Sequence, residues 1–327
     1  MISRAKSVLQ EIIREAYRDG AAFRGQGEVA SYIPALACID PNHLGLAAMT
    51  LDGQLVCEGD ADKSFSIQSI SKVFSLTMAL EKEGDGLWSC VGREPSGSPF
   101  NSIVQLESEG GHPRNPLINA GAIATADRLI GEGEAGATID QLEAFMQSLA
   151  QDDGVTIDRE VAASEAAAGA RNRSLAHFMA AFGNLKNRVE IVLEVYFHQC
   201  ALSMSCAQLA RAGLFLANDG VDPLTNTQIV SPEASRRINA IMMLCGHYDN
   251  SGEFAFQVGL PGKSGVGGGI LAIAPGKGAI AAWSPGLNKA GTSLAGAAAL
   301  GSFAKAANWS VFNYGQTPPT ANQSKAQ

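Results

Sequence analysis

The residues of this chain best suited to covalent chemistry are Ser69 and Lys72, in the tetrad Ser69-Ile70-Ser71-Lys72. A serine hydroxyl is a weak nucleophile near neutral pH and needs a base to take its proton. A lysine is such a base once burial or nearby positive potential lowers its pKa. At the start of a helix, positions i and i+3 share a face, so the hydroxyl of Ser69 and the amine of Lys72 can meet. A helix N-terminus adds positive potential and favours a developing oxyanion. The spacing alone is weakly specific, because it recurs at Ser3-Arg4-Ala5-Lys6 and Ser302-Phe303-Ala304-Lys305. The first copy falls on an N-terminal helix, and the last lies inside the final helix, where its serine has no free helix end. Only the middle copy follows a strand hairpin and opens a helix. Ser71 points about 100° round that helix from Lys72 and is the poorer nucleophile.

A second block raises the weight of the first. Lys263-Ser264-Gly265 stands just before an apolar strand run. S-x-x-K is paired with K-T-G in serine β-lactamases and penicillin-binding proteins, and K-S-G is a close variant. A lysine on an edge strand beside the nucleophile raises the local positive potential, and the backbone N–H beyond it can serve an oxyanion hole. By itself the block reads equally well as a glycine-bounded turn before a strand. The third motif of that superfamily has two candidates. Tyr248-Asp249-Asn250 fits the letters Y-x-N but lies only a short way before Lys263, and Tyr196 is the alternative. A tyrosine near a Ser/Lys pair could relay a proton to a leaving amine.

The elements that must position these residues can be read from periodicity. Residues 4–19 form an amphipathic helix. Leu44–Met49 and Gln54–Glu58 are strands joined at Leu51-Asp52-Gly53, a strong hairpin signal. A helix runs from near Ser69 to about Lys82. Between about 85 and 245 Ala-rich helical periods dominate: Asn119–Ile130, Ile139–Ala150, Ile157–Ala168, Ser174–Phe182, Arg188–Phe197, Ser205–Asn218 and Pro232–Leu244. Strands then return as Phe254–Val258, Gly269–Ala274 and Ala279–Trp283, and a helix over Leu294–Ala307 follows. The expected fold is α+β: one antiparallel sheet built from both ends of the chain and flanked by helices, with a helical domain inserted. The expected boundaries are 1–84 and 250–312 for the discontinuous sheet domain and 85–249 for the helical domain. Residues 313–327 are expected to be a disordered tail. A cleft at the junction is the default place for a site.

Composition narrows the function. With 17% charged residues and abundant apolar ones, the 327 residues have the make-up of a folded globular chain. A formal net charge of −8 with no Lys/Arg run argues against nucleic acid. The charged, helical N-terminus does not read as a secretory signal, and no segment approaches the roughly 18 apolar residues of a membrane span. The 6 cysteines form no C-x-x-C and no zinc spacing with the 5 histidines. Free thiols in a reducing compartment follow, and the expected location is cytoplasmic. No metal site and no phosphate-binding glycine loop is read, so no cofactor is expected.

Several blocks, taken in order, resemble one family closely. They are Tyr32-Ile33-Pro34-Ala35-Leu36-Ala37, Gln68-Ser69-Ile70-Ser71-Lys72, Asn115-Pro116-Leu117-Ile118-Asn119-Ala120-Gly121-Ala122, and Ser164-Glu165 with Asn172. Tyr196-Phe197-His198, Tyr248 and Leu260-Pro261-Gly262-Lys263-Ser264-Gly265-Val266 complete the set. Together they resemble the serine-dependent glutaminases, which share the β-lactamase/transpeptidase-like fold. The resemblance implies Ser69 as nucleophile, Lys72 as its base, and an oxyanion hole from the N–H groups of Ser69 and Val266. It implies a glutamine pocket lined by Tyr32, Asn119, Glu165, Asn172, Tyr196 and Tyr248, with Tyr248 or Tyr196 also handling protons. Lys263, Ser264 and Gly265 would support the site. It further implies hydrolysis of L-glutamine to L-glutamate and ammonia through a seryl γ-glutamyl ester, and a homo-oligomer, often a tetramer. Gly262 departs from the pattern, which leads one to expect alanine there.

The chemistry of free glutamine agrees. A buried carboxylate such as Glu165 suits the α-ammonium, and asparagine amides and tyrosine hydroxyls suit the α-carboxylate. Read without the resemblance, Glu165 could be a solvated helix position, Asn119 an N-cap, and the two tyrosines core aromatics. Two rival functions share the fold: a penicillin-recognising serine hydrolase, whose substrates lie outside the cytoplasm, and an inactive binding protein, which predicts broken motifs.

Overall fold

The computed structural model describes residues 2–313. Its main sheet has strands β1 (Gly45–Thr50), β2 (Leu55–Gly59), β3 (Gly262–Ser264), β4 (Gly269–Ala274) and β5 (Gly278–Trp283), in the order β2-β1-β5-β4-β3, all antiparallel. The first two strands come from the N-terminal part of the chain and the last three from the C-terminal part. They join where β1 pairs with β5, Gly45 opposite Trp283 and Thr50 opposite Gly278.

Every residue of β4 and β5 is buried, which requires cover on both faces. The two-residue period of a strand divides the side chains between two cores. Leu46, Ala48, Ile270, Ala272, Ile280 and Ala282 face helix α1 (Ile2–Ala21) and helix α9 (Leu294–Ala306), meeting Ile13, Ala16, Leu300 and Phe303. Ala47, Met49, Leu271, Ile273, Ala279 and Ala281 face the larger core on the other side. Burying a Leu, Ile or Phe side chain contributes about 1.5–3 kcal/mol.

The larger core belongs to the helical half. Helix α2 (Ser71–Glu83) packs on α3 (Asn119–Ile130), every residue of which is buried. Against α3 pack α5 (Ala170–Ala181) and α6 (Val189–Cys200), and α4 (Arg159–Ala168) packs on α6. Helix α7 (Pro232–Cys245) leads back toward the sheet, and α8 (Ser251–Gln257) precedes β3. A second small ladder joins Phe65–Ser66, Leu202–Met204 and Thr156–Ile157, tying the segment before Ser69 to the end of α6.

Three readings change. Phe254–Val258 is not a strand but the end of α8 and the residue after it. Ser251, Phe254 and Val258 are buried while Phe256 is 89% exposed, a helical period that strand alternation contradicts. Ser205–Asn218 is two helices, Cys206–Ala212 and Leu214–Ala217, divided at Gly213. The helix expected near Ser69 begins at Ser71, after a 3₁₀ turn over Gln68–Ile70. The expected tail lies, apart from Asn313, outside the described residues.

Candidate active site

Ser69 sits in the 3₁₀ turn that links the small ladder to α2. Gln68, just before it, has a φ of 51°, a left-handed conformation that a non-glycine residue adopts at a cost. The Gln68 side chain donates to Oγ of Ser66 at 2.9 Å, and Ser66 donates to the Cys200 carbonyl at 3.0 Å. The turn is thereby fixed to α6. Gly265 lies against it from the other side: a Cβ there would fall 2.3 Å from the Ile67 carbonyl oxygen. Only glycine lets the chain after β3 approach the turn of Ser69 so closely. Ser71 is occupied, its hydroxyl donating to the Gln68 carbonyl at 2.7 Å.

Lys72 is fully buried one turn along, and Nζ donates to Oδ1 of Asn119 at 2.7 Å. The Asn119 amide in turn donates to Oδ1 of Asn172 at 2.9 Å. Lys72 has no carboxylate within salt-bridge distance among the described residues. Burial lowers its pKa to about 8, against the opposing pull of Cys200 and Glu165. Its ammonium lies 5.9 Å from the ring centre of Tyr196 and 5.8 Å from that of Tyr248. No hydrogen bond joins it to Ser69 in this state. Catalytic hydrogen bonds are often loose before substrate binds.

Tyr248 differs from Tyr196. It stands at φ 58°, again left-handed, and its buried hydroxyl has no hydrogen-bond partner of good geometry. Burial raises its pKa, and Ser69 is the neighbour that pulls it back down. Its ring carries Nζ of Lys263 at 4.1 Å and the Phe100 ring at 4.9 Å. Tyr196 is buried beside Cys200 and Glu165, and burial first, then these neighbours, raise its pKa. Burial pushes the Cys200 thiol up to about 12. Tyr248 thus stands beside Ser69 and Lys263, and Tyr196 stands beside Cys200 and Glu165.

Lys263 is the second fully buried lysine. It donates to the carbonyls of Gly246 at 2.8 Å and Ser264 at 2.6 Å. Burial, then the charge of Lys72, depress its pKa. Ser264 also reaches the Gly246 carbonyl, through N–H at 3.2 Å and Oγ at 3.4 Å. Lys263, Ser264 and Gly265 therefore form the wall behind Ser69 and Tyr248.

In front of Ser69 opens a small cleft of about 90 Å³. Tyr32, Asn119, Glu165, Asn172, Tyr196 and Val266 all line it, together with Ser69. Five of the six pocket residues singled out in the sequence therefore converge with Ser69 and Val266, Tyr248 being the one that does not line the cleft, and Tyr32 stands at the rim, 56% exposed. Glu165 on α4 is buried, not a solvated helix position, and burial raises its carboxyl to about 7 against the pull of Gln68 and Lys72. The N–H groups of Ser69 and Val266 meet no backbone acceptor among the described residues. Among those residues no cluster of His, Cys, Asp or Glu is placed to hold a metal ion.

Gln68, Phe100, Asn101, Arg171 and Cys200 also line the cleft and were not chosen from the sequence. Gln68 carried a signal, since it directly precedes Ser69. Arg171 donates through Nε to the Asn101 carbonyl at 3.1 Å, a contact across 70 positions that no local pattern announces.

Comparison with known proteins follows the same lines. The glutaminase family model matches residues 27–312. The thermolabile glutaminase of Rhizobium etli is 59% identical over 304 residues, 93% of this chain and 98% of that one. The glutaminase of Pseudoalteromonas atlantica is 55% identical over 306 residues, 94% of this chain and 100% of that one. The solved structure of the probable glutaminase ybaS superposes with a TM-score of 0.89 at 38% identity, over 94% of this chain and 98% of that one. A probable glutaminase from Bacillus subtilis, solved in complex with 6-diazo-5-oxo-L-norleucine, gives a TM-score of 0.81 at 33% identity over 93% and 96%.

Proposed function

This chain belongs to the glutaminase family and acts as a glutaminase, an amidohydrolase, and we propose that Ser69 carries the reaction through a seryl γ-glutamyl ester with Lys72 as base. The observation that carries the proposal is the environment of Lys72. It is fully buried, lacks a carboxylate partner, and holds its proton only to about pH 8. A lysine so placed has a neutral fraction of about one-tenth at pH 7, rising with pH, and that form can accept the Ser69 proton.

The substrate is free L-glutamine. Its α-ammonium pairs with the Glu165 carboxylate through a charge-assisted hydrogen bond. Its α-carboxylate takes donors from Asn119 or Asn172 and from tyrosine hydroxyls of the cleft. Oγ of Ser69 attacks the side-chain carbonyl carbon as its proton passes to Lys72. The oxyanion that forms rests on the N–H groups of Ser69 and Val266, each contributing about 3 kcal/mol to lowering the barrier. Tyr248 hands its hydroxyl proton to the leaving nitrogen and recovers one from Lys72, and ammonia departs. Water then gives up a proton to the same pair, attacks the ester, and releases glutamate with Ser69 restored. Nζ of Lys263 lies 4.1 Å from the centre of the ring of Tyr248. Its unpartnered hydroxyl and its coupling to Ser69 favour Tyr248 over Tyr196 as the relay.

The same reading takes the protein to be a cytoplasmic homotetramer, as the family resemblance implies. No helix among the described residues is long and apolar enough to cross a membrane. Light scattering of the purified protein checks the assembly. The chemistry is tested by ammonia release from glutamine, asparagine and a penicillin, wild type beside Ser69→Ala. Rapid release from glutamine by wild type alone is expected. Full release by Ser69→Ala would refute the mechanism, and rapid penicillin turnover would favour the rival hydrolase.

A further inference from the structure

Gly262 opens β3, one residue before Lys263, and is the departure noted in the sequence. A Cβ on Gly262 would lie 2.5 Å from Cε1 and 3.0 Å from Cζ of Phe254, and 2.9 Å from Nε2 of His247. Two stacked rings hold the space that a methyl would need. The His247 and Phe254 rings have centroids 3.6 Å apart and planes 15° apart. The backbones are as close at the same place: a Cβ on Gly246 would fall 1.7 Å from the Gly262 carbonyl oxygen. The end of α7 therefore lies directly on β3.

His247 directly precedes Tyr248. It is buried, its Nε2 has no hydrogen-bond partner, and its Nδ1 reaches only Oγ1 of Thr292, at 3.5 Å. Its ring is thus held by shape more than by polar contacts. Its backbone is held firmly. The His247 N–H donates to Oγ of Ser251 at 3.1 Å, Ser251 donates to the Tyr248 carbonyl at 2.8 Å, and the Asn250 N–H donates to the His247 carbonyl at 3.0 Å. These bonds surround Tyr248, an aromatic residue that stands in a left-handed conformation. Such a conformation persists only where its surroundings over-determine it.

We propose that His247 is a positioning residue for the reaction: its ring, stacked on Phe254 and seated against the bare Cα of Gly262, holds Tyr248 in its left-handed turn with its hydroxyl toward Ser69. The ring does no proton chemistry itself. Displacing it moves the tyrosine that does, while the substrate contacts on α3, α4 and α6 stay in place. The inference rests on Tyr248 as the proton carrier, so Tyr248→Phe is the control that separates the two.

The test is kcat and KM for glutamine in wild type, Tyr248→Phe, Gly262→Ala, His247→Ala and the Gly262→Ala/His247→Ala double variant. Each single change at 247 or 262 is expected to lower kcat about ten- to a hundredfold, the scale of a misplaced catalytic group, with KM within about twofold of wild type. The double variant is expected to turn over faster than Gly262→Ala alone, because the new methyl enters the space the imidazole leaves. Losses that multiply in the double variant, or losses confined to KM, would overturn the proposal. So would wild-type kcat in both single variants while Tyr248→Phe is inactive. Full activity of Tyr248→Phe would instead overturn the reading of Tyr248 beneath it. Should His247→Ala not fold, Gly262→Ala, which removes no atom, carries the test alone.

Discussion

Ser69 to Lys72 and Ser302 to Lys305 are the same tetrad by sequence and opposite sites by surroundings. Ser302 lies on α9, half-buried, and donates to a carboxylate oxygen of Asp19 at 2.6 Å, while Lys305 is exposed. Ser69 lies before a helix, at the floor of a cleft, and Lys72 is sealed behind it. Spacing brings a serine and a lysine to one helix face in both places. Burial, a free backbone N–H and a strained turn set Ser69 and Lys72 apart, and the proposed mechanism draws its reactivity from them. The tetrad is a necessary arrangement, and the enclosure supplies the chemistry.

The comparison can be broken at either site. Ser69→Ala is expected to lower kcat for glutamine by about ten-thousandfold or more, the scale on which a lost nucleophile is felt. Ser302→Ala should leave kcat unchanged and shift stability by less than about 0.5 kcal/mol, as surface changes do. Thermal melting beside the ammonia assay checks both.

Lys72→Arg keeps a cation but removes the base, because a guanidinium does not deprotonate in proteins. Turnover should fall about a hundred- to ten-thousandfold, with KM less affected. Lys305→Arg should have no such effect. Near-normal turnover in Lys72→Arg would take Lys72 out of the base role.

Glu165→Gln keeps the shape of the cleft and removes its anion. KM for glutamine should rise about ten- to a hundredfold through loss of a charge-assisted hydrogen bond. An unchanged KM would separate Glu165 from the α-ammonium.

The pH profile is a finer test. Lys72 must lose its proton to act as base, so kcat should rise as pH rises through about 8. Glu165 must lose its proton to pair with the substrate, so kcat/KM should also rise as pH rises through about 7. Both steps rise with pH, and Glu165→Gln should abolish the lower one. A profile that falls across this window would contradict both assignments.

Much of this arrangement was legible in the chain. The hairpin, the two central strands and the helix over Asn119–Ile130 follow from turn residues and hydrophobic period, which are local properties. The Ser69/Lys72 pair is local too, three residues apart. Phe254–Val258 was misread because two phenylalanines separated by one residue imitate a strand; burial of only one of them reveals the helix. The left-handed turns at Gln68 and Tyr248 left no mark, since neither residue type announces such a conformation. The pocket was visible only through family resemblance. Its defining contacts, Lys72 to Asn119 and Asn119 to Asn172, span 47 and 53 positions, beyond any periodic signal. The proposed preference for Tyr248 over Tyr196 likewise rests on Lys263 and Ser69 in three dimensions.

The account turns on the bond that Ser69 forms. Rapid acid quench of the enzyme turning over glutamine, followed by peptide mass spectrometry, tests this most directly. A γ-glutamyl group on the peptide containing Ser69, absent from Ser69→Ala and absent from the peptide containing Ser302, is the predicted result. An adduct on another residue, or ammonia release by Ser69→Ala at the wild-type rate, would contradict it.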